Sequence, residues 1–156
     1  MTRMPAVSSW RRAAAWACGL LALAWATHAG AAGGAGEPPA PARWVVADVV
    51  DSAPVTGLDD AQAAALVGQA VAFGPDAISF ERAACASPRV TRAHKPAARF
   101  FRDHRIAAPS AWRKAVDWWE VKCAGPETIG PFLVDGGDML FVWYGVLLHA
   151  RPAAPG

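Results

Sequence analysis

Strand-like segments dominate the pattern of apolar and polar positions along the chain. In residues 116–123, Val116 and Trp118 fall on one face, and Asp117 and Trp119 fall on the other. Such alternation predicts a β-strand, because successive side chains of a strand point to opposite faces of its sheet. The predicted strands are residues 44–50, 69–73, 77–80, 116–123, 132–134, 139–144 and 146–149.

Turn residues separate these strands. Gly74-Pro75-Asp76 predicts one turn, and Asp135-Gly136-Gly137-Asp138 predicts a hairpin between two apolar strands. Gly145 interrupts the last apolar stretch and predicts a bulge or a bend. The fold is therefore predicted to be mainly β, a small antiparallel barrel or sandwich of six to eight strands with one short helix.

The short helix is predicted by its capping residues. Asp59 is a favourable N-cap, and Gln62 follows three residues later, so the two can form a capping box. Strong helix formers fill most of residues 60–67, and Gly68 supplies the left-handed residue that ends a helix. A helix of about two turns is unstable alone, so it must pack against the rest of the domain.

The beginning of the chain is typical of a secretory signal peptide. Arginines precede an apolar run over residues 13–26, and small residues follow as far as Ala31, where cleavage is predicted. The run is shorter than the roughly 20 residues that cross a bilayer, which favours removal over a retained anchor. Twin-arginine export through Arg11-Arg12 and lipidation of Cys18 fit the neighbouring residues poorly. The mature protein is predicted to be periplasmic or secreted, without a transmembrane anchor.

Cleavage after Ala31 changes both the charge and the cysteine count. The mature chain would keep 12 of the 15 basic residues and all 13 acidic residues, so its net charge is near −1. It would keep two cysteines, Cys85 and Cys123. An even number in an oxidising compartment predicts one disulfide between them, the alternative being two buried free thiols.

One domain with flexible ends accounts for the rest of the chain. Residues 32–42 are small and rich in Gly and Pro, which predicts a flexible leader, and residues 152–156 predict a disordered tail. Residues 43–151 have the length of a single β-rich domain.

Charge is segregated along this domain. Residues 82–114 carry nine basic residues and a single acid, Asp103, whereas residues 32–81 carry seven acids and one base. The apolar residues of the basic segment do not alternate, and Pro96 interrupts it. Residues 89–108 are therefore predicted to be the least ordered part of the domain and a contact surface.

A family resemblance rests on the helix, the hairpin and the cysteines. In residues 66–80 a short helix leads through a glycine into a hairpin, and Cys85 and Pro88 follow. Cys123 ends a later strand, and residues 138–148 form a closing apolar hairpin strand. This order resembles small exported lipocalin-like or META-type β-barrel proteins of Gram-negative bacteria, which are mostly uncharacterised. The resemblance implies a fold and a compartment, and it implies no catalytic residue.

The sequence offers no arrangement typical of catalysis or metal binding. The histidines of the mature chain lack the spacing of metal ligands, and no serine lies in a Gly-x-Ser-x-Gly elbow. Asp135 and Asp138 flank a turn, and Asp117 and Glu120 point to opposite faces of a strand, which is unlike the paired acids of a glycosidase. We therefore predict no catalytic residue, no metal and no cofactor.

Two adjacent tryptophans and three arginines form the predicted partner-binding site. Trp118 and Trp119 cannot both enter a one-sided core, so one must face solvent, a second layer, a ligand or a partner. With Arg99, Arg102 and Arg105 they would bind an envelope protein or an anionic polymer. The predicted export argues against a nucleic acid as the binding partner.

Three functions are consistent with these features. The first is a non-enzymatic binding module of the cell envelope, a class that includes inhibitors of cell-wall-degrading enzymes. The second is a carrier that holds a small apolar ligand inside the barrel. The third is a hydrolase, for which the sequence supplies no candidate residues. An open interior would favour the carrier, and a filled interior would favour the binding module.

Mass spectrometry of the exported protein should find a new N-terminus at residue 32, or within two or three residues of it. The expected cleavage follows from the order of charged, apolar and small residues. Recovery of an intact Met1 from the periplasm would contradict the signal peptide.

Overall fold

The computed structural model describes residues 42–154. The predicted signal peptide and nearly all of the predicted leader lie outside the described residues. Nine strands are present: β1 Ala42–Ser52, β2 Ala70–Phe73, β3 Ala77–Phe80, β4 Ala83–Ala86, β5 Arg89–Pro96, β6 Ala115–Lys122, β7 Phe132–Asp135, β8 Asp138–Trp143 and β9 Val146–Pro152. They form one curled half-barrel sheet in the order β4-β3-β2-β1-β9-β8-β7-β6-β5, and every neighbouring pair is antiparallel.

The mainly β prediction is confirmed, but the expected count of six to eight strands is too low. Strand β4 is a run of Ala and Cys, which has no alternation of apolar and polar residues. Strand β5 lies at the edge of the sheet and carries mostly exposed polar side chains, so its sequence resembles a charged loop.

Two α-helices and a 3₁₀ turn accompany the sheet, one α-helix more than predicted. Helix α1, Asp60–Ala64, has the predicted capping box: the Gln62 N–H donates to Asp59 at 2.8 Å, and the Asp59 N–H donates to the Gln62 side chain at 2.9 Å. Helix α2 is Ala98–His104, and the 3₁₀ turn is Ser110–Trp112.

The two edge strands of the sheet follow each other directly in the chain. Since neighbouring strands alternate in direction along the sheet order, β4 and β5, the first and the ninth, run the same way. Only Ser87 and Pro88 separate them. The chain therefore runs on from one edge to the other through a bend at Ser87, where φ is +46°. Three Cα–Cα steps span about 11 Å at most, which limits the distance between the edges at this corner.

A disulfide reinforces the same corner. Cys85 of β4 bonds Cys123, which directly follows β6, and their Cα atoms lie 5.0 Å apart. The Ala124 N–H donates to the Ala86 carbonyl at 3.0 Å. The predicted pairing of the cysteines is confirmed, and it links β4 to β6 although these strands are far apart in the sheet order.

The inner face of the curled sheet is filled by side chains. Every strand contributes to this main core, α1 adds Ala63, and the turn that follows α1 adds Leu66. Aromatic rings meet edge to face across it: Phe80 lies 5.1 Å from Phe141 and 5.2 Å from Trp143, between ring centroids. Because β3 and β8 are not neighbours in the sheet, these contacts hold opposite parts of the curled sheet together.

A second core lies on the outer face of β6 to β9. Residues 97–112, here called the cover segment, pack on this face through Phe100, Phe101, Ile106 and Trp112. These strands are therefore buried on both faces, which explains the unbroken apolar run of β8. The expectation that residues 89–108 are the least ordered part of the domain was wrong, because they form β5 and α2 and cover the sheet.

Neither α-helix within residues 42–154 has the length and apolar character that a membrane crossing requires.

Replacement of both cysteines by alanine, Cys85→Ala/Cys123→Ala, should lower the free energy of unfolding by roughly 2–5 kcal/mol. The bridge joins residues separated by 38 positions and restrains the corner where the edges meet. Urea unfolding of the double variant against the parent protein measures the effect. Equal unfolding midpoints would show that the bend holds the sheet without the bridge.

Candidate functional site

The predicted tryptophan pair is buried on opposite faces of β6. Trp119 is 9% exposed in the main core, where its ring contacts Trp44 and Phe73. Trp118 is 6% exposed in the second core and meets Phe100 edge to face. The second layer, one of the alternatives open from sequence, is the one observed. Because both faces of this strand are covered, neither ring forms an exposed contact surface.

Basic side chains of β5 cover what remains of these two rings. The Arg92 guanidinium lies 4.5 Å from the Trp119 ring centroid, and Lys95 Nζ lies 5.1 Å from the centroid of the Trp118 ring. Lys95 also pairs with Glu120. These contacts are cation–π interactions made by β5 residues rather than by Arg99, Arg102 or Arg105.

The three predicted arginines lie on α2 and at its end. Arg99 and Arg102 are exposed, and both lie beside Asp103, at 3.3 Å and 3.7 Å between nitrogen and oxygen. Arg105 ends the helix in the left-handed conformation, with φ of +56°. Asp103 partly neutralises the charges of Arg99 and Arg102. Arg105 instead lines a cleft beside Tyr144.

The exposed aromatic residue of the domain is Tyr144, the only tyrosine in the sequence. Its side chain is 63% exposed at the tip of the β8–β9 hairpin. Tyr144 and Gly145 form a two-residue turn with φ of +47° and +87°, the combination of a type I′ turn. Asn-Gly is the usual sequence for this turn, and a tyrosine in the left-handed region is strained.

Loop residues 53–57 hold this turn in place. The Gly57 N–H donates to the Tyr144 carbonyl and the Ala53 N–H donates to the Gly145 carbonyl, each at 2.8 Å. A Cβ at Gly145 would lie 2.8 Å from the Val55 carbonyl oxygen. Both this close approach and the positive φ therefore require glycine at this position. The tyrosine is therefore presented from a fixed backbone.

A second strained turn lies beside the first. Glu81 and Arg82 join β3 to β4, and Glu81 has φ of +52°. The indole Nε1 of Trp143 donates to the Glu81 carboxylate at 3.1 Å. Since β3 and β8 are not adjacent in the sheet, the curl brings the two hairpin tips together, and this hydrogen bond ties them.

Open clefts lie on both sides of Tyr144. One, of about 680 Å³, is lined by the Glu81-Arg82 turn, Glu127 and Trp143. The other, of about 420 Å³, is lined by loop residues 53–55, the end of α2 and Gly145. We call the surface formed by both clefts and Tyr144 the tip face; its ionisable, aromatic and valine side chains are Val55, Glu81, Arg82, Asp103, His104, Arg105, Glu127, Val142, Trp143 and Tyr144.

The tip face brings together one predicted site residue, Arg105, and several that sequence reasoning missed. The available signal was Tyr144-Gly145 between two apolar runs, which is a two-residue hairpin turn with tyrosine in the usual place of asparagine. The predicted bulge or bend at Gly145 is the second residue of this turn. Arg99 and Arg102 lie outside the residues that line the two clefts.

One histidine of the tip face has an altered acidity. Burial lowers the pKa of His104, and the neighbouring Asp103 carboxylate opposes that change. The imidazole packs on Phe100, with 4.7 Å between ring centroids. His104 is therefore favoured as a neutral group that closes the second core next to the cleft.

Another histidine forms a charged cluster on the outer face of β1, β9 and β8. His149 Nδ1 lies 2.9 Å from an Asp48 oxygen, and its Nε2 lies 2.7 Å from an Asp138 oxygen. Carboxylates only accept hydrogen bonds, so the two contacts together require both ring nitrogens to be protonated. Burial lowers the pKa of His149, but the hydrogen bonds to both aspartates outweigh it and raise the pKa.

The pKa of Asp138 shifts in the opposite direction. The hydrogen bond from His149, assisted by Arg151, lowers the pKa of this carboxyl group. The cluster binds three strands together by charge, and it leaves His149 without a free nitrogen for proton transfer. Within residues 42–154, no group of three or more His, Cys, Asp or Glu side chains has the arrangement of a metal site.

Comparison of the chain with models of known protein families, with characterised proteins and with solved structures finds no match. The likeness to lipocalin-like and META-type barrels therefore stays a prediction from sequence.

Substitution Tyr144→Asn should raise the free energy of unfolding by about 0.5–1 kcal/mol, because asparagine tolerates the left-handed turn position that strains tyrosine. Tyr144→Ala is the matched control: it removes the ring, including its contact with Trp143, but keeps the strain. Urea unfolding should place the alanine variant below the parent protein. Equal destabilisation by both substitutions would show that the tyrosine ring itself stabilises the turn.

The stabilising contribution of His149 should be larger at pH 6 than at pH 9. A pKa raised by folding adds stability that is complete below the unfolded value of about 6.5 and is lost as the pH rises through the folded value. The difference in melting temperature between the parent and His149→Gln should therefore shrink as the pH rises. His94→Gln, which removes an exposed His–Asp pair, is the control. A pH-independent difference would contradict the charged form of His149.

Proposed function

We propose that this protein is exported and acts outside the cytoplasm as a non-enzymatic binding module that contacts a partner protein through the tip face. The observation that carries the proposal is Tyr144, held 63% exposed in a strained backbone conformation between two clefts. Non-glycine residues held in the left-handed region cost about 1–3 kcal/mol each and cluster at sites of function. Asparagine would complete the same turn at a lower conformational cost, so the turn itself does not require a tyrosine. A role for the exposed ring in binding would explain its presence.

The chemistry of the tip face favours a protein over an anionic polymer. Tyrosine is enriched at the centres of protein interfaces, because it combines a large apolar ring with a polar end. Charges of both signs surround it: Glu81 and Glu127 lie near Arg82 in one cleft, and Asp103 lies near Arg105 in the other. A polymer of uniform charge would favour a surface of one sign.

Exposed apolar surface adjoins the tyrosine. Val55, 82% exposed, lies on the loop that crosses the β8–β9 turn. Tyr144 and Val55 together give an apolar centre with a charged rim, which is the usual organisation of a contact surface between proteins. Since the loop and the turn are hydrogen bonded to each other, little order is lost when a partner binds.

The arginines of α2 give weaker support for binding of an anionic polymer than the sequence suggested. Arg99 and Arg102 share Asp103, so the helix surface carries less positive charge than its sequence implies. Arg105 contributes to the tip face instead.

The filled interior argues against a carrier. The residues of the main core that would line a ligand cavity, including Phe73, Phe132 and Phe141, are at most 2% exposed and contact one another. A ligand of apolar character would have to displace these rings. The two clefts of the tip face lie at the hairpin tips, outside this core.

A hydrolase is the third alternative. In the described part of the chain, His149 and His94 are hydrogen bonded to aspartates rather than to a serine hydroxyl, and both cysteines are in the disulfide. Hydrolysis needs a nucleophile, a base and a stabilising group in one place. The tip face offers charged and aromatic groups, which suffice for binding.

The test is a comparison of partners recovered from envelope extract by the exported protein and by three variants. A partner recovered by the parent should be lost with Tyr144→Asn, which keeps the fold, and weakened with Arg82→Glu. The control is Arg43→Glu, which makes the same charge reversal near the start of β1, whereas loop 53–57 follows the end of β1. This variant should recover the same partner as the parent protein.

Two results would overturn the proposal. If all variants recover the same proteins with the same salt dependence, the tip face is not the contact surface. If the purified protein hydrolyses a cell-wall or ester substrate, the proposed class is wrong.

A further inference from the structure

A pair of basic side chains lies at the corner where β4 continues into β5. Arg89 begins β5, Lys122 ends β6, and the two are directly opposite in the antiparallel register. Side chains at such positions share a face of the sheet and lie close together, and two like charges there repel each other. Both residues are exposed.

In the part of the chain that the structure describes, no carboxylate lies within ion-pair distance of either cation. The ion pairs found within residues 42–154 involve neither Arg89 nor Lys122. The nearest acid on the same face of β6 is Glu120, and its carboxylate is engaged by Lys95. Asp76 also adjoins the corner, since its backbone carbonyl accepts the Ser87 N–H at 2.8 Å, but its carboxylate forms no ion pair with either cation.

A cavity of about 330 Å³ opens between the two cations. Ser87, Cys123 and Ala124 complete its lining. The bend places Ser87 there in the left-handed conformation, and the disulfide and the Ala124–Ala86 hydrogen bond fix the opposite wall. The cavity is thus bounded by a rigid backbone, two cations and a hydroxyl group.

We propose that this corner binds a phosphate-type oxyanion between Arg89 and Lys122. The guanidinium fork of arginine matches two oxygens of a phosphate group, the lysine ammonium supplies a second positive charge, and the Ser87 hydroxyl can donate to a third oxygen. The anion would also remove the repulsion between the two cations. The corner adjoins the end of β4, whereas the tip face adjoins its beginning, so the two sites are separate and this inference does not depend on the proposed function.

A titration with inorganic phosphate at constant ionic strength tests the site, with amide chemical shifts as the readout. Saturable shifts are expected at Ser87, Arg89 and residues 122–124. The double variant Arg89→Gln/Lys122→Gln should bind at least tenfold more weakly. The matched control is Arg43→Gln/Arg113→Gln, which removes the same charge from two other exposed arginines and should bind within twofold of the parent.

Thermal unfolding gives a second, independent readout. Phosphate should raise the melting temperature of the parent more than chloride does at the same ionic strength, and it should not do so for the double variant. In chloride alone, the double variant should melt above the parent, because the repulsion is gone. Tyr144→Asn should retain phosphate binding whether or not the tip face binds a partner.

Vesicles distinguish the source of the phosphate group. Sedimentation with phosphatidylglycerol vesicles, but not with phosphatidylcholine vesicles, and competition by inorganic phosphate would assign a lipid headgroup. Saturable binding of inorganic phosphate without sedimentation would assign a free or soluble phosphate. Shifts that rise without saturation at all basic residues, or equal loss in the matched control, would overturn the proposal.

Discussion

The covalent passage from β4 to β5 through Ser87 and Pro88 is the constraint on which the fold depends. It joins the two edges of a nine-stranded sheet without reversing the chain, so the sheet must curl until its edges meet at one corner. The Cys85–Cys123 bridge secures that corner. The curl in turn creates an inner face that small strands of four residues can fill with aromatic rings.

The same curl determines where functional surface can exist. It brings the β3–β4 turn against the β8–β9 turn, so that Glu81 and Trp143 bond across the end of the sheet. Tyr144 is then presented beside this contact. At the other end of β4, the bend itself produces the corner with Arg89 and Lys122. Both proposed surfaces are consequences of one topological feature rather than of separate motifs.

Sequence reasoning succeeded where a local physical signal was strong. Gly74-Pro75-Asp76 and the Gly136-Gly137 turn identified their hairpins, and Asp59 with Gln62 identified the capping box of α1. It failed where the signal depended on tertiary structure. The adjacent Phe100 and Phe101 are buried because α2 covers the outer face of the sheet. The local sequence does not reveal this second layer. The meeting of the two strained turns likewise exists only after the sheet has curled.

The exposed cations of β5 also affect how the protein behaves towards copies of itself. A sheet that does not close completely leaves edges with backbone groups available for pairing, and a second chain can add a strand there. Strand β5 carries Arg89, Arg92 and Lys95 and ends at Pro96, while β4 is only four residues long. A copy that approached this edge with its own β5 would meet identical charge and a residue that lacks an N–H. The charge of β5 therefore disfavours edge-to-edge pairing between copies of this chain.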